Sequence, residues 1–136
     1  MGFLIDASVL IEAERGKLDL QAHIQGREQK QGYLSVVTAS ELLHGVHRAK
    51  NSTIRARRSA FVEGILTHFP LLDIDLATAR LHAQIWATLA AQGQRIGPHD
   101  LWLAASCLAH GLTMVTANAR EFERVAGLTV EDWTIS

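Results

Sequence analysis

A chain of 136 residues is long enough to bury one hydrophobic core and short for two, so residues 1–136 read as a single domain. Apolar residues make up 48%, aromatics only 6%, and mean hydropathy is +0.08, which builds the core from Ala, Leu, Ile and Val; no apolar run has the length of a membrane span. With 13 basic and 14 acidic side chains the formal charge is −1, excluding a protein that holds nucleic acid by a broad positive field; any such contact has to be local or metal-assisted.

Phe3-Leu4-Ile5 is a short β-favouring run broken by Asp6-Ala7-Ser8, after which Val9, Leu10, Ile11 and Ala13 keep helical spacing to Gly16. Residues from Leu18 to about Gln31 predict a weakly amphipathic helix closed by Gly32, and Tyr33 to Val37 a second strand. Thr38-Ala39-Ser40-Glu41 has the spacing of a capping box, opening a helix with Leu42, Leu43 and Val46 inward. A further helix is expected from Asn51 to His68, with Ile54, Phe61, Ile65 and Leu66 inward and Arg55, Arg57 and Arg58 outward, ended by Pro70.

Leu71 to Ile74 predicts a third strand. Asp75 can cap a helix through Ala91 that packs Leu76, Ala79, Ala83, Leu89 and either Ile85 or Trp86. Gly93 to Pro98 is a loop, and Asp100 opens an alanine-rich helix ending at Gly111. Leu112 to Val115 is a fourth strand, followed by a short helix around Phe122 and a candidate fifth strand over Leu128 to Val130. This alternation, with crossovers long enough for parallel pairing, predicts an α/β fold of three layers. Its central sheet is mainly parallel, of four or five strands, flanked by helices.

Asp6, Glu41, Asp100 and Glu121 each fall at or just after a strand end, or at a helix opening. In parallel sheets ligands bind beyond the carboxyl ends of the strands, so these four acids can share one cleft. Clustered carboxylates repel, and bound cations are the direct compensation; hard oxygen ligands select magnesium or manganese over zinc. Such metals lower the pKa of a bound water and stabilise a leaving oxygen, which suits phosphodiester hydrolysis without a protein nucleophile. Each acid also has a local explanation. Asp6 can N-cap the first helix, Glu41 fits the capping box with Thr38, Asp100 lies in a favourable first turn, and Glu121 beside Arg120 and Glu123 resembles a solvated charge.

The contexts of the four acids resemble one family, the PIN domains, and within it the VapC-like toxins of toxin-antitoxin pairs. Phe3 to Ile11 is similar to the family's opening strand and first acid, with Ser8 at a hydroxyl position; Thr38-Ala39-Ser40-Glu41-Leu42-Leu43-His44-Gly45 is similar to the second motif. Gly97-Pro98-His99-Asp100-Leu101-Trp102-Leu103-Ala104-Ala105 resembles the third, and Met114 to Phe122 the fourth, where Asn118 replaces the aspartate of many relatives. The resemblance implies a PIN-like fold and a metal-dependent endoribonuclease. In it Asp6, Glu41 and Asp100 ligate Mg2+ or Mn2+, Glu121 completes the site, and Ser8, Thr116 and Asn118 position water or phosphate. It further implies cleavage leaving a 5′-phosphate and a 3′-hydroxyl, a homodimer, and an antitoxin protein that occupies the active-site groove. Operator DNA is bound only through the antitoxin complex.

Other residues carry less. His44 and His47 share a helix face but lack the further ligands a zinc site needs. His99 adjoins Asp100 without a firm role. Trp86 is expected to pack, and Trp102 to flank the cleft or a dimer surface. Arg48, Lys50, Arg55, Arg57 and Arg58 form the only basic concentration, suited to phosphates or simply to solvent. The single cysteine, Cys107, sits in an apolar helix and is expected in the core; with no disulfide partner and no leader-like start, the chain is expected in the cytoplasm.

Three rival classes are excluded by missing residues. A phosphoaspartate phosphatase needs a second aspartate where Ser8 stands, a receiver domain needs paired acids and a late lysine, and a nucleotide-binding loop needs glycines after the first strand. The alternative that remains is a PIN-like binding module of weak or lost activity, for which Asn118 is the only support.

Overall fold

The computed structural model describes residues 2–26 and 30–134. Its strands are β1 (Phe3–Ile5), β2 (Gly32–Ser35), β3 (Leu71–Leu72), β4 (Thr113–Val115) and β5 (Val130–Glu131), forming one sheet in the order β3-β2-β1-β4-β5. Every strand pairing is parallel. The connections run through α1 (Ala7–Glu14), α2 (Leu20–Ile24), α3 (Val36–His47), α4 (Ser52–His68), α5 (Leu76–Ala91), α6 (Pro98–His110) and α7 (Ala119–Phe122).

β1 is central because it is apolar on both faces. Successive residues of a strand point to opposite sides, and Phe3 and Ile5 join Leu34, Val115 and the buried residues of α1, α3 and α4. Leu4 and Met114 instead meet Leu103, Ala104 and Cys107 of α6 and Phe122 of α7. Helices α1 to α4 thus cover one face and α5 to α7 the other, the expected three layers with the full five strands.

Several local expectations change. Gly32 does not close a helix; it starts β2, where a Cβ would stand 2.8 Å from the Phe3 ring and 3.1 Å from Phe69. The helix expected from Leu18 to about Gln31 spans only Leu20–Ile24, capped by Asp19, and residues 27–29 of that expectation lie outside the described residues. Val36 and Val37 belong to α3 rather than to a strand, because Ser35 supplies the cap by accepting the Val37 N–H at 3.0 Å. β3 stops at Leu72, and β5 is shifted to Val130–Glu131. Ile54, Leu76 and Ala83, expected inward, are exposed, Ile54 and Leu76 lying in the first turns of their helices. The Asp75 cap forms, accepting from both the N–H and the hydroxyl of Thr78, and α6 ends at Gly111 with φ +66° as glycine permits. No helix among the described residues is long and apolar enough to cross a membrane.

The strand order reverses at β1, whose chain neighbour β2 lies on one side and β4 on the other. Loops leaving the carboxyl ends of β1 and β4 part there and open the crevice in which α/β sheets bind ligands. Asp6 is the first residue beyond β1 and Thr116 the first beyond β4.

Candidate active site

Asp6 is 4% exposed, with its main-chain N–H held by the Val115 carbonyl at 2.8 Å. It stands at the N-cap of α1 yet makes no side-chain cap bond, so capping does not explain it. Its Oδ2 instead accepts the Ser8 hydroxyl at 2.8 Å and the Thr116 hydroxyl at 2.7 Å. Those hydroxyls are oriented in turn, because Ser8 Oγ accepts the Ala117 N–H at 3.0 Å and Thr116 Oγ1 the Asn118 N–H at 2.9 Å. Both hydroxyl protons are therefore committed to one carboxylate oxygen, and no described residue donates to Oδ1. The exposed Asn118 carboxamide makes no hydrogen bond among the described residues, and it leaves α7 without a side-chain cap.

Glu41 lies in the interior of α3, beyond the reach of a capping box, since the helix begins five residues earlier at Val36. Thr38 and Glu41 are three apart and so share a face; Thr38 Oγ1 and Glu41 Oε1 are both buried without a hydrogen-bond partner among the described residues. His99 Nδ1 stands 3.0 Å from Glu41 Oε1, an ion-pair distance off the line of a good hydrogen bond. Burial and the charge of Asp6 raise the Glu41 carboxyl above its ordinary range, and His99 draws it partly back.

Helix α6 begins at Gly97-Pro98, which offer no side-chain cap, and Glu121 of α7 supplies one from a distance: its Oε1 accepts the Gly97 N–H at 2.6 Å. Glu121 is thus a built-in part of the cleft, not a solvated charge. Asp100, in the first turn of α6, is pushed up to about 7 by burial, by the charges of Asp6, Glu121 and Glu41, and by its contact with Glu121. The fold therefore brings all four predicted acids into one mutually repelling cluster.

Among the described residues, no three of these side chains already stand in closed metal-ligand geometry. Their chemistry nonetheless fits a hard divalent cation. The donor set is all oxygen, one buried carboxylate oxygen lacks a donor, and a cation would offset the burial and the neighbouring charges that raise the Asp100 carboxyl.

A groove of about 410 Å³ leads away from Glu41 between α1, α3 and α4, with Leu42, Phe61 and Val62 along it and Arg48, Arg57 and Arg58 beside them. The basic concentration is thus divided: Arg48, Arg57 and Arg58 line the groove, Arg58 while donating to the Gly45 carbonyl, whereas Arg55 turns to the Ala49 carbonyl. His44 and His47 are exposed. Cys107 is core, its thiol pushed up to about 12 by burial. Trp86, expected to pack, is 62% exposed; Ile85 takes the inward position instead. Sequence reasoning left His99 without a role, and its position next to Asp100 in the third motif was the available signal.

The family model of the PIN domain matches residues 3–128. The chain is 35% identical to "Ribonuclease VapC1" of Rickettsia felis over 130 residues, 96% of this chain and 95% of that protein. It is 37% identical to the "tRNA(fMet)-specific endonuclease VapC" of Shigella flexneri over 132 residues, 97% and 98% of the respective chains. A solved structure of DNA-bound VapBC from Salmonella typhimurium superposes with a TM-score of 0.88 at 31% identity, covering 98% of each chain.

Proposed function

This chain belongs to the PIN-domain family and, within it, to the VapC-type ribonucleases, and from that we propose that it is an endoribonuclease toxin hydrolysing RNA at the Asp6–Glu41–Asp100–Glu121 cluster with Mg2+ or Mn2+. The observation that carries the reading is the convergence of four carboxylates in one cleft, where burial and the charges of Asp6, Glu121 and Glu41 push the Asp100 carboxyl up to about 7, a cost that a bound cation would offset. Asp6, Glu41 and Asp100 would hold the cation, with Glu121 completing the site. The bound ion would supply an activated water and charge stabilisation at phosphorus.

The protein's own residues prepare that site. Ser8 and Thr116 fix the rotamer of Asp6 through Oδ2 and leave Oδ1 free to ligate. Glu121 holds the start of α6, and hence Asp100, against the cluster. Asn118 keeps its carboxamide available to water or a phosphate oxygen without adding charge.

The chain is the toxin partner of a small antitoxin, and its contact with operator DNA runs through that partner, as the DNA-bound VapBC structure at 31% identity supports. The groove from Glu41 to Phe61, where Ile11, Ile54 and Phe61 alternate with Arg15, Arg48, Arg57 and Arg58 and with the acids Glu14 and Glu41, suits an antitoxin segment that presents both apolar and charged side chains. Occupying it would also cover Glu41.

The test is cleavage by the protein purified free of any partner, with magnesium or manganese and with chelator. The first substrate to assay is tRNA(fMet), the substrate in the name of the Shigella relative. Metal-dependent cleavage lost in Asp6→Ala and Asp100→Ala supports the reading. Absence of cleavage by the wild type, or undiminished cleavage by both variants, rejects it in favour of a binding module.

A further inference from the structure

Among the described residues, two buried side-chain polar atoms lack a hydrogen-bond partner, Thr38 Oγ1 and Glu41 Oε1, and they lie three residues apart on one face of α3. One belongs to the acid cluster, and the other stands one helical turn before it. Thr38 is fully buried. A helical threonine ordinarily turns its hydroxyl back to the carbonyl four residues earlier, but for Thr38 that residue is Leu34, which lies in β2 ahead of the helix. Native proteins leave few buried hydroxyls unpaired, because each costs folding free energy, and functional sites are where such groups are kept.

We propose that Thr38 is a positioning residue for Glu41: when a divalent cation binds the cluster, the Thr38 hydroxyl donates to Glu41 Oε1 and leaves Oε2 to the cation. The inference rests on the cation-dependent nuclease reading and adds to it the residue that sets the direction of one ligand.

The two unpaired groups are complementary. A hydroxyl can donate, an ionised carboxylate oxygen can only accept, and side chains three apart on a helix are neighbours. The Glu41 side chain is 31% exposed, so its carboxylate has room to turn. His99 Nδ1 reaches the same oxygen at 3.0 Å but off the line of a good hydrogen bond, which leaves Oε1 able to accept from Thr38. The pairing repeats what the chain already does at Asp6, whose Oδ2 accepts the hydroxyls of Ser8 and Thr116 while no described residue donates to Oδ1. The charge of Asp6 acts on Glu41 and that of Glu41 on Asp100, so one cation can be shared among them. Two of its ligands would then be braced by the same device, a hydroxyl that occupies one carboxylate oxygen and frees the other.

The test compares full-length wild type, Thr38→Val, Thr38→Ser, Glu41→Ala and the double variant of Thr38→Val with Glu41→Ala. Manganese binding is measured by titration calorimetry and by the rise in melting temperature on adding the metal, and each protein is also melted in chelator. Valine keeps the branched shape and removes the hydroxyl. Thr38→Val is therefore expected to melt no lower than wild type in chelator, since the group it loses had no partner there. A hydrogen bond to a charged group is worth about tenfold or more in an equilibrium, so Thr38→Val should bind manganese about tenfold more weakly. Thr38→Ser, which keeps the hydroxyl, should stay close to wild type, and Thr38→Val should cost nothing further once Glu41 is alanine. Manganese affinity unchanged in Thr38→Val, a lower melting temperature of that variant in chelator, a loss that serine does not restore, or a loss undiminished in the Glu41→Ala background each overturns the proposal. Wild type that binds no manganese overturns it together with the nuclease reading. Manganese bound through Thr38 and Glu41 by a wild type that never cuts RNA would reject the nuclease reading alone.

Discussion

Glu121 Oε1 accepts the Gly97 N–H at 2.6 Å, so an acid of α7 caps the helix whose first turn carries Asp100. This contact ties together two motifs separated by 24 residues and gives Glu121 a task besides charge. Glutamine preserves the acceptor and removes the charge; alanine removes both. Glu121→Gln is expected to keep the melting temperature and lower the Asp100 pKa, whereas Glu121→Ala should cost about 1–2 kcal/mol in denaturant unfolding, the range for a charge-assisted bond at a helix start. If Glu121→Ala is as stable as Glu121→Gln, the capping role is wrong.

Asp6 depends on hydroxyl donors it cannot replace. Thr116→Val keeps the volume of a fully buried residue but removes the 2.7 Å bond to Oδ2 and leaves the Asn118 N–H without its acceptor. A loss of about 1–3 kcal/mol in stability follows from the unsatisfied groups. Metal affinity should fall in titration calorimetry, because Asp6 then samples other rotamers. Ser8→Ala is expected to act in the same direction and more weakly, since Thr116 still holds Oδ2.

Asp100 links stability to pH and metal. In the folded chain its carboxyl gives up a proton at about 7, against 3.8 ordinarily, so between those values the native state binds more protons than the unfolded one. Stability without metal is therefore greatest below the lower value and falls as pH rises through the higher one. Magnesium competes with that proton, and the melting temperature should rise more on adding it at about pH 8 than at about pH 6. Asp100→Asn should flatten the pH dependence and be more stable than wild type at about pH 8, while losing about 100-fold or more in cleavage. A wild-type melting curve insensitive to pH from about 5 to 8 would contradict the shared cluster.

His99 draws the Glu41 carboxyl down against burial and the charge of Asp6. Replacing it by glutamine removes that help, so Glu41 should hold its proton to higher pH. The acidic limb of the rate profile should then move upward, with cleavage at about pH 8 much less affected than at about pH 6. A uniform loss at all pH values would point instead to a contact with substrate.

The apolar runs at Phe3–Ile5 and Leu112–Val115, the Asp75 cap and the stop at Gly111 could be read along the chain because each depends on neighbours a few residues away. The capping box at Thr38–Glu41 was misread for the same reason: a local pattern fits the spacing, but Ser35 starts the helix first and turns Glu41 into the interior of the site. Exposure of Trp86 and partial burial of Ile85 likewise turn on which face of α5 meets α6, a choice that two adjacent apolar residues leave open.

The order of four acids in family-like contexts was present in the sequence by itself, and with it the fold class and the chemistry of hydrolysis. Only the tertiary structure decided that Asp6 is held through Oδ2 by Ser8 and Thr116, that Glu121 caps α6, that His99 meets Glu41, and that Asp100 keeps its proton near neutrality. The reason is physical. Residue type and spacing report what a side chain can do, but repulsion, desolvation and hydrogen bonding act through space, and the residues concerned lie up to 110 positions apart in the chain.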